Sequence, residues 1–331
     1  MRVGGCSMTH KTTILNEPLL EFGDQATHQD PRQGLIEAGP HQTNLGDKII
    51  IGVVGSAITI EKTQAFFVEI SHGIESSADK LPNLNPDFPG LLNRNPFRTD
   101  FFVDVNATRS LTKAQIKTIV DEPDHHKAVH LACAAYMGLL QSLADSAVAP
   151  EVAIVALPVD IIVRVKNAQF EVKATTEESD SGGSDAPNFR GLLKAAAMHL
   201  SFPIQIVWED VLDDKTKIPQ KLRKTTDRKI QDKAARAWTL TNSIYYKASG
   251  KVPFRRYTSD DEYRSCYIGV SFYRDTSGQQ LWTSAAQMFD ERGKGYILRG
   301  RRAQTEARGR NPYMTAEDAE TLIKSALEAY R

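Results

Sequence analysis

The sequence is poor in the features that mark exported, membrane-spanning and disulfide-linked proteins. Its three cysteines, Cys6, Cys133 and Cys266, are odd in number, widely spaced and outside any CxxC pair, so they provide neither a disulfide framework nor a zinc site. No run approaches the roughly 20 apolar residues that cross a bilayer, and the first residues lack an apolar signal core. These absences predict a cytoplasmic protein without a membrane segment.

The chain also lacks an excess of charge of either sign, because 41 Lys and Arg residues balance 41 Asp and Glu residues. A zero sum does not exclude nucleic acid as a ligand, since the distribution of charge matters more than its total. Nine basic residues against two aspartates fall between positions 215 and 236, and five arginines against one glutamate fall between 299 and 310. Taken alone, each run is either a solvated face or a contact surface for nucleic acid.

The chain has the length and the apolar content for two domains, with 331 residues of which 41% are apolar. Residues 1–46 predict short extended pieces joined by turns. From Lys48 onward, strand-like and helix-like segments alternate, and this order predicts an α/β, Rossmann-like layer. The segments are a strand at KIIIGVVGS with a helix after it, a strand at FFVDVN, a helix over 124–144, a strand at VAIVALPVDI, a helix at FRGLLKAAAMHLS and a strand at PIQIVW.

The pattern changes after a predicted helix over 229–247. Three strand candidates follow, YIGVSFYRD, LWTSAAQMFD and GYILRGRR, and then a helix at TAEDAE with Thr315 as its N-cap and Asp318 in the capping-box position. Three antiparallel strands and a helix are how a ribonuclease H-like fold begins. The sequence stops at Arg331, after that helix, which predicts an exposed apolar edge on YIGVSFYRD. We therefore expect a truncated product, or another chain that completes the sheet.

Two motifs resemble known sites but lack a required residue. GVVGS, with Gly52 and Gly55, has one glycine too few for the dinucleotide-binding GxGxxG and no acidic residue at the expected distance. An ordinary strand-to-helix turn is the more frequent explanation. His126 and His130 lie four residues apart on a predicted helix, but Lys127 stands where HExxH has its glutamate. A surface histidine cluster, which also includes Asp124, His125 and Cys133, is therefore favoured over a metal site.

A more informative set of residues follows the polar segment at 174–188. Arg190 and Lys194 are four residues apart, so they share one face at the start of a predicted helix, where free amides favour an anion. Gln205 lies on the next strand, and Lys247 ends a later helix. Cations and an amide near a helix N-terminus suit a terminal phosphate, although ordinary surface charge would also explain these residues one by one.

The chain resembles the short prokaryotic Argonautes, which consist of MID and PIWI domains without N or PAZ domains. The resemblance extends over the whole chain and depends on an ordered set of segments rather than on one strict motif. The segments are EPLLEFG, DPRQGL, KIIIGVVGS, NLNPDFPG, VAIVALPVD, FRGLLKAAAM, PIQIV, SIYYKASGKVPFR, YIGVSFYRD, QMFDERGKGYILRG and NPYMTAEDAETLI.

This resemblance implies a MID domain over 47–220 and a partial PIWI domain over 221–331, preceded by the extended segment 1–46. It also implies that the 5′-phosphate of a guide strand is bound by Arg190, Lys194, Gln205 and Lys247. Many relatives carry a further lysine one turn before the last one, where this chain has Ser243. The pocket should therefore be less positive, or depend more on a bound Mg²⁺. The C-terminal carboxylate that the family places near this phosphate is in doubt here.

Nuclease activity is not expected. Argonautes that cut their target hold metal ions with an aspartate in the first PIWI strand, two residues after a glycine, and Ser271 takes that place after Gly269. A hydroxyl group does not supply the charge that a two-metal site requires. Asp275 lies at the far end of the strand, and the later strand with the second aspartate is not in the sequence. The resemblance thus implies an inactive PIWI domain with no catalytic metal.

The function implied is guided recognition of nucleic acid in prokaryotic immunity. A small guide, expected to be RNA, would select a single-stranded DNA target. Target binding would then activate a partner protein that carries an APAZ domain and a sirtuin-like, TIR or nuclease effector. The duplex backbone would contact residues of the two basic runs. Two alternatives stay open: a ribonuclease H-like nuclease that acts directly, and a Rossmann-type nucleotide-binding enzyme. The candidate backbone residues are Lys221, Arg223, Lys224, Arg299, Arg301 and Arg302.

Overall fold

A four-stranded parallel sheet forms the centre of the computed structural model, with the strand order β4-β3-β5-β6. The strands are β3 (Lys48–Ser56), β4 (Asp100–Leu111), β5 (Val152–Leu157) and β6 (Ile204–Trp208). β3 pairs with β4 and β5, and β5 pairs with β6, all in parallel register. The structure describes residues 17–42, 48–77, 85–93, 95–166, 188–219, 230–250, 252–257, 266–274, 281–283, 286–289, 295–298, 301–305 and 312–330.

Helices cover both faces of this sheet, as the continuous apolar sequences of β3 and β5 require. Every residue of β5 is buried. On one face the core includes Phe66 and Ile70 from the helix after β3, together with Trp238 and Ile244 from a helix late in the chain. On the other face Tyr136 belongs to the core. The predicted α/β, Rossmann-like layer is therefore confirmed.

The helices of the described residues are α1 (Pro31–Ala38), α2 (Ala57–Ser71), α3 (Lys113–Asp121), α4 (His125–Ala144), α5 (Val159–Lys166), α6 (Phe189–Ala196), α7 (Glu209–Leu212), α8 (Lys233–Ser249) and α9 (Ala316–Tyr330). Helices α2, α4, α6, α8 and α9 lie where the sequence predicts them, whereas α3 and α7 form in segments for which no helix is predicted.

Two of these helices correct the sequence prediction. α1 lies in the segment expected to be extended, where Asp30 caps the backbone amides of Arg32 and Gln33, and Pro31 occupies the first turn. α5 begins at Val159, in a run of residues predicted to continue the strand. The strand ends at Leu157 instead, because Pro158 lacks the amide hydrogen that a further ladder bond needs.

The first described residues pair with the chain beyond α8. β1 (Leu20–Glu21) lies between β2 (Thr27–His28) and β7 (Arg255–Arg256), antiparallel to both. The Arg255 guanidinium donates to both carboxylate oxygens of Glu21, at 2.9 and 3.1 Å. The N-terminal segment is thus attached to the chain just after the helix that carries Lys247.

The predicted strands of the C-terminal part are present, but the first and the second are each interrupted. The first candidate forms β8 (Tyr267–Gly269) and β9 (Phe272–Arg274), the second β10 (Leu281–Thr283) and β11 (Ala286–Phe289), and the third β12 (Gly295–Leu298). β11 pairs antiparallel with β8 and β12, and β10 pairs with β9. Among the described strands, β8 is thus an edge strand, with exposed Tyr267, Ile268 and Val270. β13 (Gln304–Thr305) and β14 (Pro312–Tyr313) precede α9.

α9 begins as predicted, because the Thr315 hydroxyl accepts from the Asp318 amide at 3.1 Å and donates to the Asp318 carboxylate at 2.8 Å. Of the helices that the structure describes, none is both long and apolar enough to cross a bilayer.

Gly55, near the end of β3, lies in a closely packed place that has no room for a side chain. An added Cβ would lie 2.4 Å from Thr59 Oγ1 and 2.7 Å from the Ala156 carbonyl oxygen. We expect Gly55→Ala to lower the free energy of unfolding by about 1–3 kcal/mol, measured by urea denaturation. Gly138→Ala is the matched control, since nothing lies within 4 Å of its Cβ and alanine is favoured in a helix by about 1 kcal/mol. Equal effects of the two substitutions would contradict this packing role.

Candidate anion-binding site

Arg190 and Lys194 lie one turn apart on α6, as predicted. The Asn188 side chain caps this helix by accepting from the backbone amides of Arg190 and Gly191, at 3.1 and 3.5 Å. The cap fixes the start of the helix immediately before Arg190. Arg190 is an exposed residue, so its guanidinium is accessible to a ligand.

Lys247, in the last turn of α8, is fixed against the edge strand of the sheet. Its ammonium donates to the Ile204 carbonyl and to Gln205 Oε1, each at 2.6 Å. The Gln205 side chain in turn donates to the Ile206 carbonyl at 3.3 Å. α8 ends two residues after Lys247, at Ser249, and Gly250 follows in the left-handed conformation at φ 64°.

The structure brings three of the predicted cations into one electrostatic cluster. Burial, together with the positive charges of Lys194 and Arg190, lowers the pKa of Lys247 to about 8. None of the ion pairs among the described residues includes any of these three side chains. Like charges held together in this way favour the binding of an anion, which would offset their repulsion.

Lys166 extends this cluster and was not predicted. It is the last residue of α5, and its ammonium lies 4.2 Å from the centre of the Trp208 ring. Burial lowers its pKa, and the charge of Arg190 adds to the effect. No motif marks it as a site residue, although basic residues such as Arg164 and Lys166 are typical of a helix C-terminus.

Ser243 lies one turn before Lys247 on α8, and its hydroxyl donates to the Thr239 carbonyl at 2.8 Å. With Gln205 it lines a cavity of about 350 Å³ between β6 and α8. Because its side chain adds no charge, Lys247 is the residue of these two that contributes a positive charge from α8.

The crevice between the ends of β3 and β5, where doubly wound sheets bind nucleotides, is filled by protein groups. Ser56 and Thr59 cap α2 reciprocally, so the helix amides are satisfied within the chain. Glu209 accepts from the Val159 amide at 2.9 Å at the start of α5, and it pairs with Lys62 at 2.7 Å. The GVVGS segment is therefore a packed strand-to-helix turn, and a carboxylate already occupies the anion position there.

The remaining predicted residues are separate from the cation cluster or outside the described part. His126 and His130 are exposed on α4, and the described residues contain no group of three or more side chains placed to hold a metal ion. Ser271 is exposed between β8 and β9. Arg301 pairs with Asp318 at 3.3 Å, and Arg302 is exposed. Lying outside the described residues are Lys221, Arg223, Lys224, Arg299, Asp275 and most of the polar segment before Asn188.

No protein-family model and no curated protein matches this chain. Among solved structures it is similar to Marinitoga piezophila Argonaute in complex with a 5′-OH guide RNA, at 11% identity and a TM-score of 0.44, over 96% of this chain and 37% of that one. It is also similar to Aa-Ago with externally bound siRNA, at 11% identity and 0.42, over 95% and 34%. Drosophila Piwi matches at 9% identity and 0.45, over 96% and 32%.

The chain spans about a third of the length of each of the three structures.

The low pKa of Lys247 makes anion binding depend on pH. A bound phosphate stabilises the charged ammonium, so affinity should be constant from about pH 7, where the phosphate has lost its second proton, up to the Lys247 pKa of about 8. It should then fall, by at most about tenfold per pH unit, as the free lysine loses its proton. Titration with a 5′-phosphorylated oligonucleotide across this range measures the effect. Lys247→Arg keeps its charge and should remove the dependence; a pH profile identical to that of the unchanged protein would contradict this assignment.

Proposed function

We propose that this protein binds a guide strand of nucleic acid and holds its 5′-phosphate with Arg190, Lys194, Gln205 and Lys247. The observation that carries the proposal is that Arg190 and Lys194 on α6 lie close enough to Lys247 on α8 to lower its pKa, while the Lys247 ammonium donates to Gln205 on β6. A phosphate monoester carries nearly two negative charges and three acceptor oxygens at neutral pH. It would therefore neutralise the cluster and accept charge-assisted hydrogen bonds.

The geometry favours a phosphate at the end of a strand over a free nucleotide in the sheet crevice. The crevice amide at Val159 already binds Glu209, whereas the cation cluster lies beside the edge strand, with Arg190 exposed. An accessible site at an edge leaves space for a polymer to continue away from its anchored end. The nucleotide-binding alternative has no comparable support.

The role proposed for the bound guide is recognition of single-stranded DNA by base pairing, with RNA as the guide. We infer, from the resemblance to short prokaryotic Argonautes, that target binding then activates an APAZ-domain partner that carries the effector activity in immunity. The protein itself would contribute backbone contacts, for which exposed Arg302 is a described candidate. A Mg²⁺ ion bound with the phosphate would add to the positive charge that Ser243 does not provide.

We further propose that the chain does not cut nucleic acid. Ser271 supplies no carboxylate at the position where cutting relatives bind metal. The protein, loaded with a 5′-phosphorylated guide and a complementary labelled strand, should give no product with Mg²⁺ or Mn²⁺ in a gel assay. Metal-dependent products that disappear on chelation, and that co-elute with the protein, would refute this part and favour the direct nuclease.

The anchoring role is tested by comparing strands that differ only at the 5′ end. A 5′-phosphorylated RNA should bind about 10–100-fold more tightly than its 5′-hydroxyl counterpart, since charge-assisted hydrogen bonds contribute about 1.5–3 kcal/mol each. The double variant Lys194→Ala, Lys247→Ala should lose this preference in a filter-binding assay.

The matched control removes the exposed lysines Lys48 and Lys117, which lie outside the cation cluster. This second double variant should keep the preference for the phosphorylated strand. Equal binding of the two strands by the unchanged protein would refute the anchoring role. Loss of the preference in the control as well would show that general charge, rather than the cluster, provides the affinity.

A further inference from the structure

A second cavity, of about 380 Å³, opens beside the cation cluster. It lies between the end of α5, the start of α6 and the outer part of β6. Its polar groups are Lys166, Asn188 and Arg190, and its apolar wall includes Ile206 and Trp208. Among the described residues that line it, none is acidic.

Two positive charges face this cavity without a described counter-ion. Lys166 is held over the Trp208 ring, and it is close enough to Arg190 for the charge of that residue to disfavour its protonated form. Neither side chain takes part in the ion pairs that the structure describes. The Asn188 carboxamide oxygen is used by the helix cap, so its amide nitrogen is the atom that can donate to a ligand.

Arg190 connects this cavity with the 5′-phosphate site. Its charge acts on both Lys247 and Lys166. Arg190 therefore belongs to a set of four neighbouring cations, with Lys247, Lys194 and Lys166. A single phosphate monoester, with at most two charges, neutralises only part of such a set. The excess of positive charge beyond Arg190 fits a ligand that carries a second phosphate.

We propose that Lys166 and Arg190 form a second phosphate subsite for the same strand. This inference rests on the proposed anchoring of the 5′-phosphate. It adds Lys166, which lies on α5, a helix that contributes no residue to the first site. The second phosphate has two sources: the linkage between the first two nucleotides, or the outer phosphates of a 5′-triphosphate end. Both place an additional anion next to the first one.

The test measures affinity for matched single-stranded RNAs in the unchanged protein and in Lys166→Met. One strand has a 5′-monophosphate, one a 5′-triphosphate, and one a 5′-monophosphate with a neutral methylphosphonate at its first linkage. If the linkage is the source, Lys166→Met weakens binding of the monophosphate strand about five- to tenfold. It also reduces the slope of log affinity against log salt concentration by about 0.7. It then has no effect on the methylphosphonate strand.

If the triphosphate end is the source, the unchanged protein binds the triphosphate strand about tenfold more tightly than the monophosphate strand. Lys166→Met then removes that gain and leaves the monophosphate strand unaffected. Lys166→Arg keeps the charge over the ring and should restore binding in either case. Lys166→Gln provides a second neutral variant in case Lys166→Met does not fold.

Lys48→Met is the matched control, because Lys48 also lies over an aromatic ring, 5.3 Å from the centre of Phe102, but on the side of the sheet away from β6. It should bind all three strands as the unchanged protein does. If Lys166→Met and Lys166→Gln bind all three strands with the affinity of the unchanged protein, the proposed second subsite is wrong. A failure of the anchoring role is distinct, since it appears as equal binding of 5′-phosphate and 5′-hydroxyl strands by the unchanged protein.

Discussion

The contact between Lys247 and the start of β6 is the constraint on which the site depends. It joins the end of a 17-residue helix to the edge of the sheet, through one backbone carbonyl and one side-chain amide oxygen. Both acceptors are neutral, so they orient the ammonium without cancelling its charge. A carboxylate at Gln205 would have formed a stronger pair and would have removed the positive charge that a phosphate needs. The glutamine therefore holds the lysine and leaves it available as a cation.

The N-terminal segment supports the same helix end from the other side. The Tyr245 hydroxyl donates to the Gln42 carbonyl at 2.7 Å, and the His41 amide donates to the Pro253 carbonyl at 2.7 Å. Together with the pairing of β1 and β7, these bonds attach the first described residues to both sides of Lys247 along the chain. Tyr245 is itself fully buried against Phe97, with ring centres 5.3 Å apart. A segment far from the site in sequence thus restricts the movement of the helix terminus that builds it.

The sequence predicted those parts of the fold that have a strong local signal. The apolar strands β3 and β5 and the long helix α4 were recognised because their burial is continuous or periodic. The sequence pattern does not indicate α1, although its Asp30 cap and Pro31 are typical of a helix start, since eight residues that include Gly34 give a weak helical pattern. Lys166 could not be predicted, because its position is defined by Trp208, a residue that only the tertiary fold brings to it. The spacing of Arg190, Lys194, Gln205 and Lys247 does not by itself distinguish a phosphate site from ordinary surface charge. The family resemblance is what identifies these four residues as candidates for binding a 5′-phosphate.

The location of the cations along an edge strand has a consequence for how this protein can change. The crevice at the centre of the sheet is closed by Glu209 and Lys62, whose bonds hold α2, α5 and α7 together. Substitutions there alter several elements at once. The four cations come instead from three separate helices, α5, α6 and α8. Recognition of a strand end can therefore be altered one residue at a time, while the layer that carries it keeps its packing.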